Sequence, residues 1–362
     1  MERISIFPFN KAYAPFVTHQ NLMTDMQIVS LISPKGWSLQ GDIVKTPDSA
    51  ITVQSDFSKG IEDSTAVWFV EDDRIELPKE KLYAKISEAI EKRKKIIFSR
   101  YSNSDVQKEM ELIIPSELRI MSDIRKLDNG YFLEKKLYDI NVPILFILGD
   151  SENTDKFEVQ VSLFEQFMKR GYRVSSISTR GDSDILGLHS MPSFMTELTA
   201  EDVKILKFNH FVKQLEIEER PEIIIIGIPG GVIPYNKYLH NQFGVTAFEI
   251  SNAVKSDCAV LCSLYTNYST DSFKKIKLGL SQKFGINVLF HHIAAMTKDS
   301  LKKSDIDENE FRFLTLDESF IMEKIKSFQR SDIYYALNKD DIFRMTDDIV
   351  EELSRNEAAS LI

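Results

Sequence analysis

Two rhythms of apolar residues alternate along the chain. RISIFPF, MQIVSLISP, STAVWFVED and KKIIFS are short runs, apolar at nearly every position, that read as strands. Between the last two, KEKLYAKISEAIEKRKK carries Leu82, Ile86 and Ile90 at four-residue spacing, the stripe of an amphipathic surface helix. YAPFVTHQNLM reads as a turn into a short helix, and SDVQKEMELI as a helix with Ser104 as its N-cap. Beyond the polar stretch RKLDNGYFLEKKLYD the runs resume as NVPILFILG, YRVSSIST, RPEIIIIGIPGG, DCAVLCSLY, INVLFHHIA and FRFLTL. Such continuous apolar runs suit strands buried on both faces of a parallel sheet. Helical patterns separate them. One, from Lys156, places Phe157, Val161, Phe164 and Met168 on a single stripe and stops at Gly171; DVKILKFNHFVKQLEIEE is another, and DDIFRMTDDIVEELSRN closes the chain.

Strands alternating with helices predict parallel sheets joined by short crossovers. At 362 residues the chain exceeds the usual size of a single core. The expectation is an α/β protein of two domains. Residues 1–135 form an N-terminal Rossmann-like α/β domain. Residues 136–362 form a doubly wound, mostly parallel-sheet, P-loop-like domain with a C-terminal helix. Ligands of such sheets sit at the carboxyl ends of the strands.

Composition narrows the partners. With 43% hydrophobic and 28% charged residues the chain is ordinary for a globular protein, and a net charge of −10 argues against nucleic acid or an anionic membrane as partner. The longest apolar runs fall short of the roughly 20 residues that span a bilayer. The two cysteines, Cys258 and Cys262, lie four apart in one apolar strand, on one face but too far apart to bridge easily. The expected setting is reducing and cytoplasmic, and a homo-oligomer is compatible with all of this.

Three stretches converge on the predicted strand ends. The first, GDSENTDKF, has the outline of a phosphate-binding loop: an apolar strand ends at Gly149, Lys156 follows seven residues on, and a helix begins at once. In a working loop, backbone N–H groups cradle phosphates, the lysine reaches their oxygens and a hydroxyl holds Mg²⁺. Here Asp155 stands where glycine is expected and Phe157 where Ser or Thr is expected, and Asp150 and Glu152 add further negative charge; Thr154 completes the turn. A carboxylate about 4 Å from a phosphate costs on the order of 4 kcal/mol at an effective dielectric near 20, more than a helix dipole returns. The second stretch, PEIIIIGIPGGVIP, stands where a Walker B strand would run, but Ile226 precedes Gly227 in place of an acid; Gly230 and Gly231 permit close backbone approach. The third, RGDSDILGLHSMPSFM, mixes Arg180, Asp182, Asp184, His189 and Ser190 with Leu188, Met191, Phe194 and Met195, which either pack against the sheet or form a partner surface. In the first domain, Asn10 and Lys11 lie just past a strand, where a ligand can bind. His291 and His292 alternate across a strand, so one is expected to face the core; no C-x-x-C or H-x-x-x-H pair supports a metal site.

GDSENTDKF followed by IIIIGIPGGVIP resembles the dethiobiotin-synthetase branch of P-loop proteins over roughly residues 142 to 300, departing at Asp155, Phe157 and Ile226. Over nearly the whole chain, FPFNKAYAPF, IVSLISPKGW, DKFEVQ, GLHSMPSFM, PEIIIIGIPGGVIPYN and FGVTAFEISNAV are similar to the clostridial peptide maturation system proteins, encoded beside radical SAM enzymes and small Cys-rich precursor peptides. That resemblance implies a natural-product (bacteriocin) pathway and carries over the motifs at Lys156, Phe157, His189 and Gly230. Two readings stand. One is an accessory protein, built on a degenerate P-loop domain, that binds the precursor peptide or the radical SAM enzyme. The other is an ATP- or GTP-dependent enzyme of the same pathway, with Lys156 on the phosphates and Asp150, Asp155 or Asp182 on Mg²⁺.

Overall fold

A computed structural model describes residues 1–70, 77–98, 109, 112–120, 135–234, 241–298 and 313–360. The chain divides into two compact units, Met1–Lys126 with Arg180–Ser190, and Leu127–Thr179 with Met191–Ile362.

In the first unit, strands β1 (Glu2–Phe7), β2 (Met26–Ile32), β3 (Ile43–Lys45), β4 (Ala50–Gln54), β5 (Ala66–Phe69), β6 (Lys95–Phe98) and β7 (Arg119–Ile120) form a sheet in the order β3-β4-β2-β1-β5-β6-β7. Every pairing is parallel except β3 with β4. The β3–β4 pair escapes the sequence reading because its residues alternate in exposure and no continuous apolar run marks it. Helices α1 (Ala14–Thr18), α2 (Phe57–Gly60) and α3 (Lys79–Glu91) accompany the sheet, and α3 buries Leu82 and Ile86 as its stripe predicts. Trp68 is fully buried and meets Tyr13 and Phe16 edge-on at 5.6 and 5.0 Å. The helix expected over SDVQKEMELI, with its cap at Ser104, falls for the most part outside the described residues.

The second unit is built on β8 (Ile144–Gly149), β9 (Val174–Ser178), β11 (Ile223–Gly231), β12 (Cys258–Leu264), β13 (Val288–Ala294) and β16 (Ile333–Tyr334), ordered β9-β11-β8-β12-β13-β16 and parallel throughout. The strand numbered β10 (His189–Ser190) lies in the segment grouped with the first unit. From β8 the chain winds first towards β9 and β11, then reverses towards β12, β13 and β16, so the topological switch point lies beside β8. Helix α4 (Lys156–Lys169) follows β8, α5 (Glu201–Glu219) follows β9, α6 (Val245–Ala253) follows β11, α7 (Thr270–Phe284) follows β12 and α8 (Glu318–Ser327) follows β13. The apolar faces of α5 and α6, with Leu280 and Phe284 of α7, cover one side of the sheet in a core that includes Phe146, Ile224, Ile226 and Leu261. The closing helix α9 (Lys339–Ser360) reaches α4 through Arg170, whose guanidinium bonds Asp347 and lies 4.3 Å from the Phe343 ring. This is the mostly parallel, doubly wound α/β architecture that the alternation implies.

Three local expectations need correction. FRFLTL does not extend the main alternation: its strand β15 (Phe313–Thr315) pairs antiparallel with β14 (Met296–Lys298) in a separate two-stranded ribbon, too short and too exposed for a sheet interior. Met168 leaves the α4 stripe and is 47% exposed, while Val161 and Phe164 are buried. His291 and His292 are both fully buried, because β13 is covered on both faces.

Candidate functional site

Backbone geometry at the end of β8 explains how a loop without internal glycines holds its shape. Asn153 and Asp155 sit at φ 57° and 58°, the left-handed region. Asn and Asp are the non-glycine residues that tolerate it best. Gly149 cannot be replaced so simply: a Cβ there would lie 2.6 Å from Thr154 Oγ1 and 2.8 Å from Lys156 Cδ. The loop folds tightly over the strand end, with Thr154 buried and its hydroxyl donating to Ser151 O at 3.3 Å.

The Gly-Gly turn is joined to this loop. Gly231 pairs with Gly149 across β11 and β8; Gly149 O accepts from Val232 N at 3.0 Å, and Asp150 O from Ile233 N at 3.2 Å. Gly230, at φ 72°, turns its carbonyl to the Lys156 ammonium, which donates to it and, at 3.3 Å, to Ile228 O. Burial lowers Lys156 to about 8, against the opposing pull of the Glu152 and Asp150 carboxylates. The lysine survives, then, as a cross-brace between loop and turn. Behind it, Gln160 is buried on the same face of α4 and donates to Ser176 Oγ at 3.0 Å and Ile177 O at 2.8 Å; a Cβ on Gly227 would come within 2.3 Å of its Oε1.

Each acidic side chain of the loop that the sequence put forward as a metal ligand is engaged by protein. Asp150 Oδ2 accepts from Tyr268 OH at 3.2 Å and Oδ1 from Leu264 N at 3.4 Å; burial raises its carboxyl to about 6, with these bonds acting the other way. Asp155 occupies the N-cap position of α4, yet its side chain makes no cap bond. Its Oδ2 lies 3.6 Å from His292 Nε2 instead. His292 Nδ1 accepts from Ala336 N at 3.0 Å, which places the proton of the neutral ring on Nε2, facing Asp155. The ring stacks on Tyr335 at 5.9 Å, and Nε2 is buried with no hydrogen-bond partner. Cys262, the register partner of His292, is a free buried thiol raised well above its usual range by burial. Among the described residues, no group of three or more His, Cys, Asp or Glu is placed to hold a metal ion. Phe157, in the place of the magnesium hydroxyl, is partly buried and supplies no oxygen; Ile226 is fully buried.

The other sequence candidates lie in the first unit. Arg180 holds both Asp182 carboxylate oxygens at 3.0 Å, donates to Ala12 O at 3.1 Å and lies over Tyr13 and Phe16 at 4.4 and 5.2 Å. Asp182 is thereby the anchor of Arg180, which leaves the magnesium role proposed for it without support. Asn10 Oδ1 accepts from Ala12 N at 2.9 Å and caps the turn Lys11–Tyr13, so that turn and the Arg180–Asp182 pair meet; Lys11 itself is exposed. Ser190 Oγ donates to Gly181 O at 3.1 Å and to Asp184, closing the loop on itself, and His189 is partly buried. Of the apolar residues there, Leu188 is buried, and Met191, Phe194 and Met195 pack against the core of the second unit.

Sequence reasoning missed Gln160, Tyr268 and Tyr335. Tyr268 lies four residues past a strand end, a readable signal; Gln160 and Tyr335 gave none, because their roles depend on neighbours distant in sequence.

No family model matches the chain, and no curated protein matches it. Among solved structures, a DUF1611 family protein from Anabaena variabilis is similar, with a TM-score of 0.63 at 10% identity, covering 97% of this chain and 100% of that one. At that identity the likeness shows the fold alone. Cobyrinic acid a,c-diamide synthase from Mycobacterium smegmatis with bound ADP and magnesium (10% identity, TM-score 0.28, 42% of this chain and 75% of that one) also matches. So does a nucleotide-binding protein from Archaeoglobus fulgidus in complex with ADP (13% identity, TM-score 0.32, 56% and 87%). Scores this low carry no weight for the present chain.

Proposed function

We propose that this protein is a non-hydrolysing accessory factor in the maturation of a ribosomally made peptide, and that its second unit is a degenerate phosphate-loop domain used for binding. The pathway rests on the sequence resemblance; the precursor peptide or the radical SAM enzyme is the expected partner. The observation that carries the loss of hydrolysis is the Lys156 ammonium, bonded to the Ile228 and Gly230 carbonyls beside a loop that lacks the magnesium hydroxyl. A triphosphate at this loop would have to break those bonds and accept Asp155 as a neighbour.

One observation favours the second reading, an ATP- or GTP-dependent enzyme using magnesium. The left-handed residues Asn153 and Asp155 preserve a compact loop between strand and helix. Titration calorimetry with Mg-ATP and Mg-GTP separates the two. The accessory reading expects no saturable binding in the micromolar range and no phosphate release. Micromolar binding abolished by Lys156→Ala would install the enzyme reading in its place. A pull-down against the precursor peptide and the radical SAM enzyme tests the partner, and recovery of neither counts against the accessory role.

A further inference from the structure

Asp155 begins its helix in an unusual conformation. At an N-cap an aspartate ordinarily accepts a hydrogen bond from the first turn, but here the left-handed backbone, φ 58° and ψ 17°, turns the carboxylate away and no cap bond forms. It is aimed at His292, a fully buried side chain on β13 whose Nε2 has no hydrogen-bond partner. Leaving a buried donor unmatched is costly, so such a group marks a place where an acceptor belongs. At 3.6 Å the Asp155 oxygen is near enough for electrostatic contact and too far for a hydrogen bond.

We propose that Asp155 acts as a built-in anion over an oxyanion site formed by His292 Nε2–H and the N-terminus of α4, and that a small phosphate-type oxyanion occupies the site when the carboxylate moves aside. The inference deepens the reading of a degenerate phosphate loop and rests on it for the placement of the loop. It adds His292 as an anion-binding residue and Asp155 as the group that blocks the site. The 14-residue helix supplies the positive end of its dipole, and the imidazole supplies one hydrogen bond whose direction is fixed because Ala336 N–H holds Nδ1.

Inorganic pyrophosphate is the probe, measured by calorimetry, with the His292 ring followed by nitrogen-15 resonance. Asp155→Asn keeps a residue that tolerates the left-handed backbone and removes the charge. It is expected to bind pyrophosphate at least about tenfold tighter than the parent, the smallest gain expected from removing one nearby like charge. The double variant Asp155→Asn with His292→Gln is expected to lose that gain, and the Nε2 resonance of Asp155→Asn is expected to shift on titration. ADP measured alongside identifies the source: binding no tighter than pyrophosphate marks a site for the oxyanion alone, and tighter binding marks a nucleotide as its carrier. The proposal is overturned if Asp155→Asn binds no tighter than the parent. It is equally overturned if the double variant keeps the gain, or if saturation leaves the Nε2 resonance unmoved. Because Lys156 is unaltered in these proteins, their outcome is independent of the Lys156→Ala result that judges nucleotide binding.

Discussion

Asp150 gives the clearest handle on the loop at the scale of single residues. Burial raises its carboxyl to about 6, above the 3.8 of an exposed aspartate. A weaker acid in the folded state takes up a proton on folding between those values. Its stabilising contribution is therefore complete below about pH 4 and is lost as pH rises through about 6. Asp150→Asn is accordingly expected to gain on the parent protein as pH rises from about 4 to about 7, by roughly 2–3 kcal/mol over that window. Urea unfolding of both proteins at several pH values checks this; a difference that stays constant with pH would refute it. What sequence revealed of this site was its chemistry: Asp155 and Phe157 were visible as departures from a phosphate loop. What it concealed was conformation. The left-handed backbone at Asn153 and Asp155, and the His292 ring that meets Asp155, arise from contacts across 137 positions of chain in the second case (292 minus 155) and leave no local pattern.

Among the elements, the strands were legible wherever a continuous apolar run fills a buried position, as in β8, β11 and β12, and illegible where exposure alternates, as in β3 and β4. The Arg180–Ser190 segment falls between these cases. Its residues read as a polar loop, and only the fold reveals that Arg180 fastens it to the turn at Lys11–Tyr13. The Asp182 side chain is 4% exposed, so removing the guanidinium strands a buried carboxylate. Arg180→Ala is expected to cost roughly 3 kcal/mol and to speed amide hydrogen exchange in residues 180–190. Arg180→Lys is expected to recover less than half of that, since an ammonium cannot grip both carboxylate oxygens while sitting over two rings. Full recovery by lysine would show that the bidentate grip and the placement over the rings are dispensable.

For the molecule as a whole, the alternation of strand and helix was enough to give two mostly parallel α/β sheets, whereas the switch point beside β8 emerges only from the strand order. It was not enough to give the chain's return to its first unit at Arg180, because grouping distant segments depends on packing that periodicity does not encode. Among the described residues no helix is long and apolar enough to cross a membrane. The net charge of −10 bears on polyanions. Duplex DNA is expected to form no complex with the protein at about 0.1 M salt, because an excess of negative charge opposes approach to the phosphate backbone. A salt-sensitive mobility shift under those conditions would reveal a basic surface that the overall balance hides.

The fit of Gly227 against Gln160 has a consequence for descent. With 2.3 Å between the Gln160 carbonyl oxygen and the nearest place a methyl group could stand, a side chain cannot appear at 227 without a response from Gln160. A lineage that gains a side chain at 227 must displace the Gln160 amide, by turning or shortening that side chain, and must then find new partners for Ser176 and Ile177. The strand end and the helix behind it are thus expected to be inherited as a pair.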